Sequence, residues 1–181
     1  MSDAPILQYY AGSDEAFEEI YSEWWLRLVR FLTALGAPWH LAEEIAQEAL
    51  YRIARTRVQG ARYIPGPGTF DGWILMVARN VWMDDLRRRS RRENAVDGAL
   101  LANRGQPARQ EADALLHELL AKLPPEQREA LILHDFEGLS YREAAEILKV
   151  SQGTVANWRE LGLTKLRLHW KVGVVPEEAA R

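Results

Sequence analysis

Apolar residues recur at three- and four-residue steps through almost every patterned stretch of this chain. That spacing limits the possible folds more than any other feature of the sequence. Phe17, Ile20, Tyr21, Trp24, Leu28, Phe31, Leu32 and Leu35 keep the register. Side chains spaced this way share one face of a helix, which turns once in about 3.6 residues. The spacing predicts a helix over 14–35, with Ser13 as its cap and Gly36 and Pro38 as its end. Leu41, Ile45, Ala49, Leu50, Ile53 and Ala54 predict a second helix over 39–57. Phe70, Trp73, Ile74, Val77, Ala78, Val81 and Leu86 predict a third over about 70–89. Between the second and third, residues 60–69 contain Pro65-Gly66-Pro67-Gly68, which is loop chemistry. No stretch alternates apolar and polar residues between turn signals, so no sheet is expected. The fold class expected is all-α.

Large apolar residues thin out over 90–112, where Gly98, Asn103, Gly105 and Pro107 cluster. This reads as a linker between two small helical domains, with room for a short turn at Val96 to Leu101. The expected division is 1–92, a linker 93–112, 113–170, and a tail 171–181. Further helices are expected at 112–123, at 125–136 after Pro124-Pro125, at 141–148 and at about 152–170.

The 181 residues carry a net charge of −3 and no cysteine. Without cysteine there is no disulfide scaffold, thiolate nucleophile or Cys-based zinc site. No apolar run approaches the roughly 18 residues that a membrane span needs. Met1 to Gln8 has no basic stretch leading into an apolar core, so no secretory leader is expected and the chain reads as cytoplasmic. The small net charge hides two basic islands. Residues 59–92 hold seven basic and three acidic residues, and 151–170 hold three and one. Local charge decides whether a surface attracts phosphate.

Three constellations could carry function. Over 125–170, a helix, the turn Glu137-Gly138-Leu139-Ser140, a short helix, the turn Lys149-Val150-Ser151 and a long helix form helix-turn-helix grammar. Gly153 and Thr154 open the last helix, where backbone N–H groups can meet phosphates or base edges. The second is the run Arg87-Arg88-Arg89-Ser90-Arg91-Arg92, which one helical turn cannot bury and which suits phosphate contact. Phe70, Trp73 and Trp82 on the same helix could hold unstacked bases or could be core. The third is Glu43, Glu44, Gln47 and Glu48, either a solvated face or a docking surface for a partner. Enzymatic signals are weak. His40, His117, His134 and His169 are scattered, His134-Asp135 has no second ligand at metal spacing, and neither GxxxxGK[ST] nor GxGxxG occurs. No catalytic residue, metal or cofactor is expected.

Together these features resemble the extracytoplasmic-function (ECF, group IV) sigma factors of bacteria. The carrying motifs are AEEIAQEALYRIART at 42–56, FDGWILMVARNVWMDDLRRRSRR at 70–92 and LPPEQREALILHDFEGLSYREAAEILKVSQGTV at 123–155. The resemblance spans roughly 14–170. It implies sigma region 2 over 1–92 and sigma region 4 over 113–170. Core RNA polymerase would dock on Glu43, Glu44, Gln47, Glu48, Leu50 and Tyr51. The minus-ten promoter element would meet Trp73, Arg79, Asn80, Asp84, Arg87 and Arg88. The minus-thirty-five element would meet Ser151, Gln152, Thr154, Asn157, Arg159, Lys165 and Arg167. Core polymerase, promoter DNA and an anti-sigma factor are the implied partners. One departure follows the GTV of the third motif. Arg159 stands where the family has an apolar residue, and Trp158, Leu161 and Leu163 stand where basic ones are common. Either the helix rotates to bury Trp158 and Leu161, or Trp158 reaches DNA or a partner. The alternative function is a sigma mimic that occupies an anti-sigma factor without starting transcription.

Overall fold

Helices are the one regular structure among the described residues, 3–59, 62–65, 68–93 and 111–174, of a computed structural model, as the periodicity requires. They fall into two units, Met1–Gln106 and Pro107–Arg181. The residues 94–110 expected as linker, including the turn at 96–101, lie outside the described residues, as do Gly66 and Pro67 of the expected loop.

The first unit contains α1 (Ala4–Tyr10), α2 (Glu15–Ala34), α3 (Trp39–Arg55) and α4 (Phe70–Glu93). Ser13 Oγ accepts the Ala16 N–H and so caps the first turn of α2. Gly36 ends α2 at φ +109°, a conformation that costs glycine nothing. The helices bury Ile20, Trp24, Leu28, Phe31 and Leu32 of α2 against Leu50 and Ile53 of α3 and Phe70, Ile74 and Leu75 of α4. Each such side chain removed from water contributes about 1.5–3 kcal/mol. Trp24 and Phe70 meet edge to face at 6.2 Å. Two expectations are corrected. Tyr21 is exposed and stacks on Trp25 instead of entering the core. Leu86 lies at the surface, past the point where α4 leaves the bundle core. Of the two readings open for the α4 aromatics, core holds for Phe70 and Trp82, so neither is available to hold a base.

The second unit contains α5 (Glu111–Ala121), α6 (Pro125–Leu131), α7 (Tyr141–Leu148) and α8 (Gln152–Val174). The helix expected over 125–136 changes character at Ile132. Residues Ile132–Phe136 form a π turn, closed by the Glu137 N–H on the Ile132 carbonyl at 2.9 Å. Ser140 and Glu143 make a reciprocal capping box at the start of α7. Lys149 ends α7 at φ +59°, the one non-glycine in the left-handed region among the described residues. Ala144, Ala145 and Ile147 of α7 and Val155 of α8 form the helix-turn-helix core. The last helix runs to Val174, into the stretch expected as tail.

Gly162 sits inside α8, where glycine costs about 1 kcal/mol relative to alanine. Its place explains it. A Cβ there would come within 2.7 Å of Leu131 Cδ1 and 3.3 Å of the Gln127 carbonyl oxygen. Leu131 is buried, so its methyl would have to move within a packed core, and the Gln127 carbonyl is backbone. Gly162→Ala is therefore expected to destabilise the second unit by about 1–2 kcal/mol, overpacking outweighing the helix gain. Urea denaturation of the two proteins checks this; a more stable variant would mean that Leu131 has room to withdraw.

Candidate nucleic-acid and polymerase interfaces

The acidic face of α3 forms as the periodicity requires. Glu44, Gln47 and Tyr51 are exposed, and Glu43 and Glu48 are half-buried. Glu48 accepts from Arg52 Nε at 2.7 Å. Leu50 corrects the expected docking set. It is 1% exposed and lies on the opposite, core-facing stripe with Ala46, Ala49 and Ile53. It supports the face and cannot touch a partner.

Around the helix from that face, α3 and α4 enclose a groove of about 410 Å³. Arg52, Arg55, Thr56 and Gln59 line one wall, and Trp73, Met76, Val77 and Asn80 the other. The groove joins an apolar wall bearing an indole ring, an amide that both donates and accepts, and two guanidinium groups. This is the set needed to hold a base by stacking and edge contact while its phosphates are neutralised. Trp73 is half-buried and Asn80 exposed, so both reach the groove. The α3 wall was not in the expected site. Its signal was present: 52, 55, 56 and 59 fall at helical spacing on one face. Arg87 and Arg88 are exposed further along α4, and Arg87 bonds Asp84 at 3.1 Å. Arg79 is half-buried and lies outside the groove lining.

In the second unit the start of α8 is built for contact. Thr154 N–H donates to Ser151 Oγ at 3.1 Å, and the two hydroxyls lie 2.8 Å apart. Ser151, Gln152, Gly153 and Asn157 are exposed, Thr154 and Lys165 half-buried, and Arg167 exposed. Arg159 departs from its expected role as a base reader. Its Nε and Nη2 donate to the Asp135 carboxylate, Nη2 at 2.6 Å, and its Nη1 donates to Glu160 at 2.8 Å. The Asp135 hydrogen bonds hold the guanidinium far above its ordinary pKa. The π turn aims Asp135 at this fork. An arginine whose donors are already committed has little left for a base edge. Leu161 remains 44% exposed and Trp158 half-buried, so the helix has not rotated to bury both. Gly162 takes the core-facing place instead. Arg159→Ala and Asp135→Ala should each lower stability by about 1 kcal/mol, and the double variant by little more than either. Thermal melts of the three variants measure that coupling; full additivity would mean the pair contributes nothing.

His134 is also committed locally. Its Nδ1 lies 2.7 Å from the Leu139 carbonyl oxygen, and its ring stacks on Tyr141 at 4.1 Å. Among the described residues no three His, Asp or Glu side chains gather as metal ligands. No helix among them is long and apolar enough to cross a membrane.

Comparison with known proteins agrees with this division. Residues 27–92 match Sigma-70 region 2, and residues 113–166 match Sigma-70, region 4. The ECF RNA polymerase sigma factor SigM of Bacillus subtilis is 31% identical over 140 residues, covering 75% of this chain and 83% of that protein. The chain belongs to the ECF RNA polymerase sigma factors. SigE of Mycolicibacterium smegmatis, another member, is 36% identical over 149 residues, which are 78% of this chain. The match spans only 56% of that relative's length. The fold agrees as well. The sigma factor RpoE from Bartonella quintana, solved in complex with the anti-sigma factor NepR, superposes with a TM-score of 0.70 at 23% identity. That match covers 86% of this chain and 97% of RpoE. All-α architecture and sigma-factor membership, both expected from the sequence, are thereby established.

Proposed function

We propose that this sigma factor docks on core RNA polymerase through the α3 face, captures the minus-ten element in the α3–α4 groove, and reads the minus-thirty-five element with the start of α8. The observation that carries the reading is the groove itself. Trp73 offers a stacking surface, Asn80 a base-edge donor and acceptor, and Arg52 and Arg55 the charge for the adjoining phosphates. Arg87 and Arg88, with Asp84 orienting Arg87, extend the backbone contact along α4. Glu43, Glu44, Gln47, Glu48 and Tyr51 supply the polymerase contact. Ser151, Gln152, Thr154 and Asn157 meet the upstream duplex, and Lys165 and Arg167 its phosphates. The functional divisions are region 2 over 1–92 and region 4 over 113–170.

The chain catalyses nothing in this scheme. Binding energy gained on capturing unstacked bases offsets the cost of strand separation, and the polymerase performs the chemistry. Its place of action is the cytoplasm, with the polymerase. An anti-sigma factor is the inferred inhibitor, by analogy with the RpoE–NepR pair. No feature of the two interfaces favours a mimic, which has no need of a groove fitted to bases. The deciding experiment mixes the purified protein with sigma-free core polymerase and a genomic promoter library. Co-elution with discrete start sites is expected. A folded protein that neither binds core nor directs starts would overturn the reading and revive the mimic.

A further inference from the structure

The short helix α1 lies outside the residues that match region 2, yet it is wired into the wall of the groove. Tyr10, its last residue, stands at the centre of a hydrogen-bond chain. The Tyr63 N–H donates to Tyr10 Oη at 3.0 Å. Tyr10 Oη lies 3.0 Å from Thr56 Oγ1, and Thr56 Oγ1 donates to the Ile53 carbonyl at 2.6 Å. Because the threonine hydrogen is spent on Ile53, Tyr10 must be the donor to Thr56. All three bonds then point the same way, and each polarises the next. Arg62 closes the arrangement from outside. It donates to the Thr56 and Arg57 carbonyls at the end of α3, and its guanidinium covers the Tyr10 ring at 5.2 Å. Bonded to these two carbonyls just past Arg55, Arg62 also acts as a cap for that end of α3. Tyr9 adds a second tie, its Oη donating to the Ala54 carbonyl at 2.8 Å.

Both residues that Tyr10 holds bear on the groove. Thr56 lines it directly. Tyr63 is 5% exposed and packs its ring against Phe70 and Trp73, each at 5.6 Å between centroids. Its Oη donates to the Gly68 carbonyl at 3.3 Å, which pins the segment leading into α4. The path therefore runs from the α1 hydroxyl, through the Tyr63 amide and ring, to the Trp73 surface.

We propose that Tyr10 is a positioning residue for promoter-strand capture, holding Tyr63 and Thr56 so that the Trp73 side of the groove is preformed for a base. The proposal rests on the reading of the groove as the minus-ten site. A preformed site avoids the ordering cost at the moment of binding, so loss of the latch should weaken strand capture and leave docking on core alone. The α3 docking face lies around the helix from the latch and shares no residue with it.

The test uses Tyr10→Phe, which keeps the ring and its contact with Arg62 and removes the hydroxyl. The protein is bound to core polymerase, and a fluorescent single strand carrying the minus-ten element recovered from the promoter library is titrated in. Affinities are referred to the core-bound fraction, so a variant that folds poorly still yields a value. Strand affinity is expected to fall about three- to tenfold, the worth of one or two hydrogen bonds. Core affinity should stay within about twofold. In a Trp73→Ala background the same substitution should cause a much smaller further loss, because the part of its effect that runs through Tyr63 ends at Trp73 and only the part through Thr56 remains. Asn80→Ala serves as the control for the groove. Unchanged strand affinity in Tyr10→Phe, with Asn80→Ala weakened, would overturn the latch. So would full additivity with Trp73→Ala, or an equal loss of core affinity. Unchanged affinity in both Tyr10→Phe and Asn80→Ala would overturn the groove reading beneath it.

Discussion

Glu44→Arg combined with Glu48→Arg is expected to weaken core-polymerase binding by about a hundredfold or more. Like charges forced together across an interface cost several kcal/mol, and each 1.4 kcal/mol or so is a factor of ten. The fold should survive, because both residues lie on the solvent side of α3, away from the stripe of Ala46, Ala49, Leu50 and Ile53. The internal cost is confined to the Glu48–Arg52 pair, which becomes two cations one turn apart and loses a few tenths of a kcal/mol. Fluorescence titration against sigma-free core measures the loss, and the helical signal in circular dichroism checks the fold. Undiminished binding by a folded double variant would move the docking surface elsewhere. The buried Leu50 supplies an internal contrast. Leu50→Ala should act through stability, at about 2–5 kcal/mol for a packed leucine, and not through a lost contact.

That contrast also marks how far the sequence could be read. Two helices were legible almost to the residue: α2, expected over 14–35, spans 15–34, and α7 begins and ends where expected, whereas α4 and α8 each run four residues past their expected ends. Membership of the sigma family was legible from three motifs in order. Leu50 was misplaced for a specific reason. The docking motif runs continuously through the sequence, whereas the stripe of 46, 49, 50 and 53 assigns that residue to the core. The helix α1 was missed because seven residues make barely two turns, too few for a period to emerge. The π turn was missed because a single extra residue in the hydrogen-bond ladder leaves the local apolar pattern of Ile132 and Leu133 unchanged. Its consequence, the aim of Asp135 at Arg159, is a tertiary fact between residues 24 apart. Gly162 is unfavourable in α8 by helix propensity alone, and only the packing of Leu131 beside it gives the reason for it. The place of Arg52 and Arg55 in the groove was not legible, since no sequence rule states that α4 lies across from them.

The groove that those residues complete carries the second large expected effect. Asn80→Ala should reduce initiation at the cognate promoter by about ten- to a hundredfold, the value of a good side-chain contact with a base edge. Asn80 is exposed on α4 and lines the groove with Trp73, so its removal opens no cavity in the core. Stability and core affinity should therefore hold. The loss should be specific in two ways. Binding to an unrelated single strand should change little, because the phosphates would still meet Arg52, Arg55, Arg87 and Arg88. Salt dependence should also keep its slope, since no phosphate contact is lost, whereas Arg88→Ala should flatten it and weaken all strands alike. Initiation assays on the cognate promoter and on one altered in its minus-ten element separate the two behaviours. A variant that lost activity on both promoters in equal proportion would make Asn80 a support for the groove rather than the residue that reads the base. Persistence of full discrimination would remove it from recognition and leave Trp73 as the aromatic contact and Thr56 and Gln59 as the uncharged polar ones in the groove.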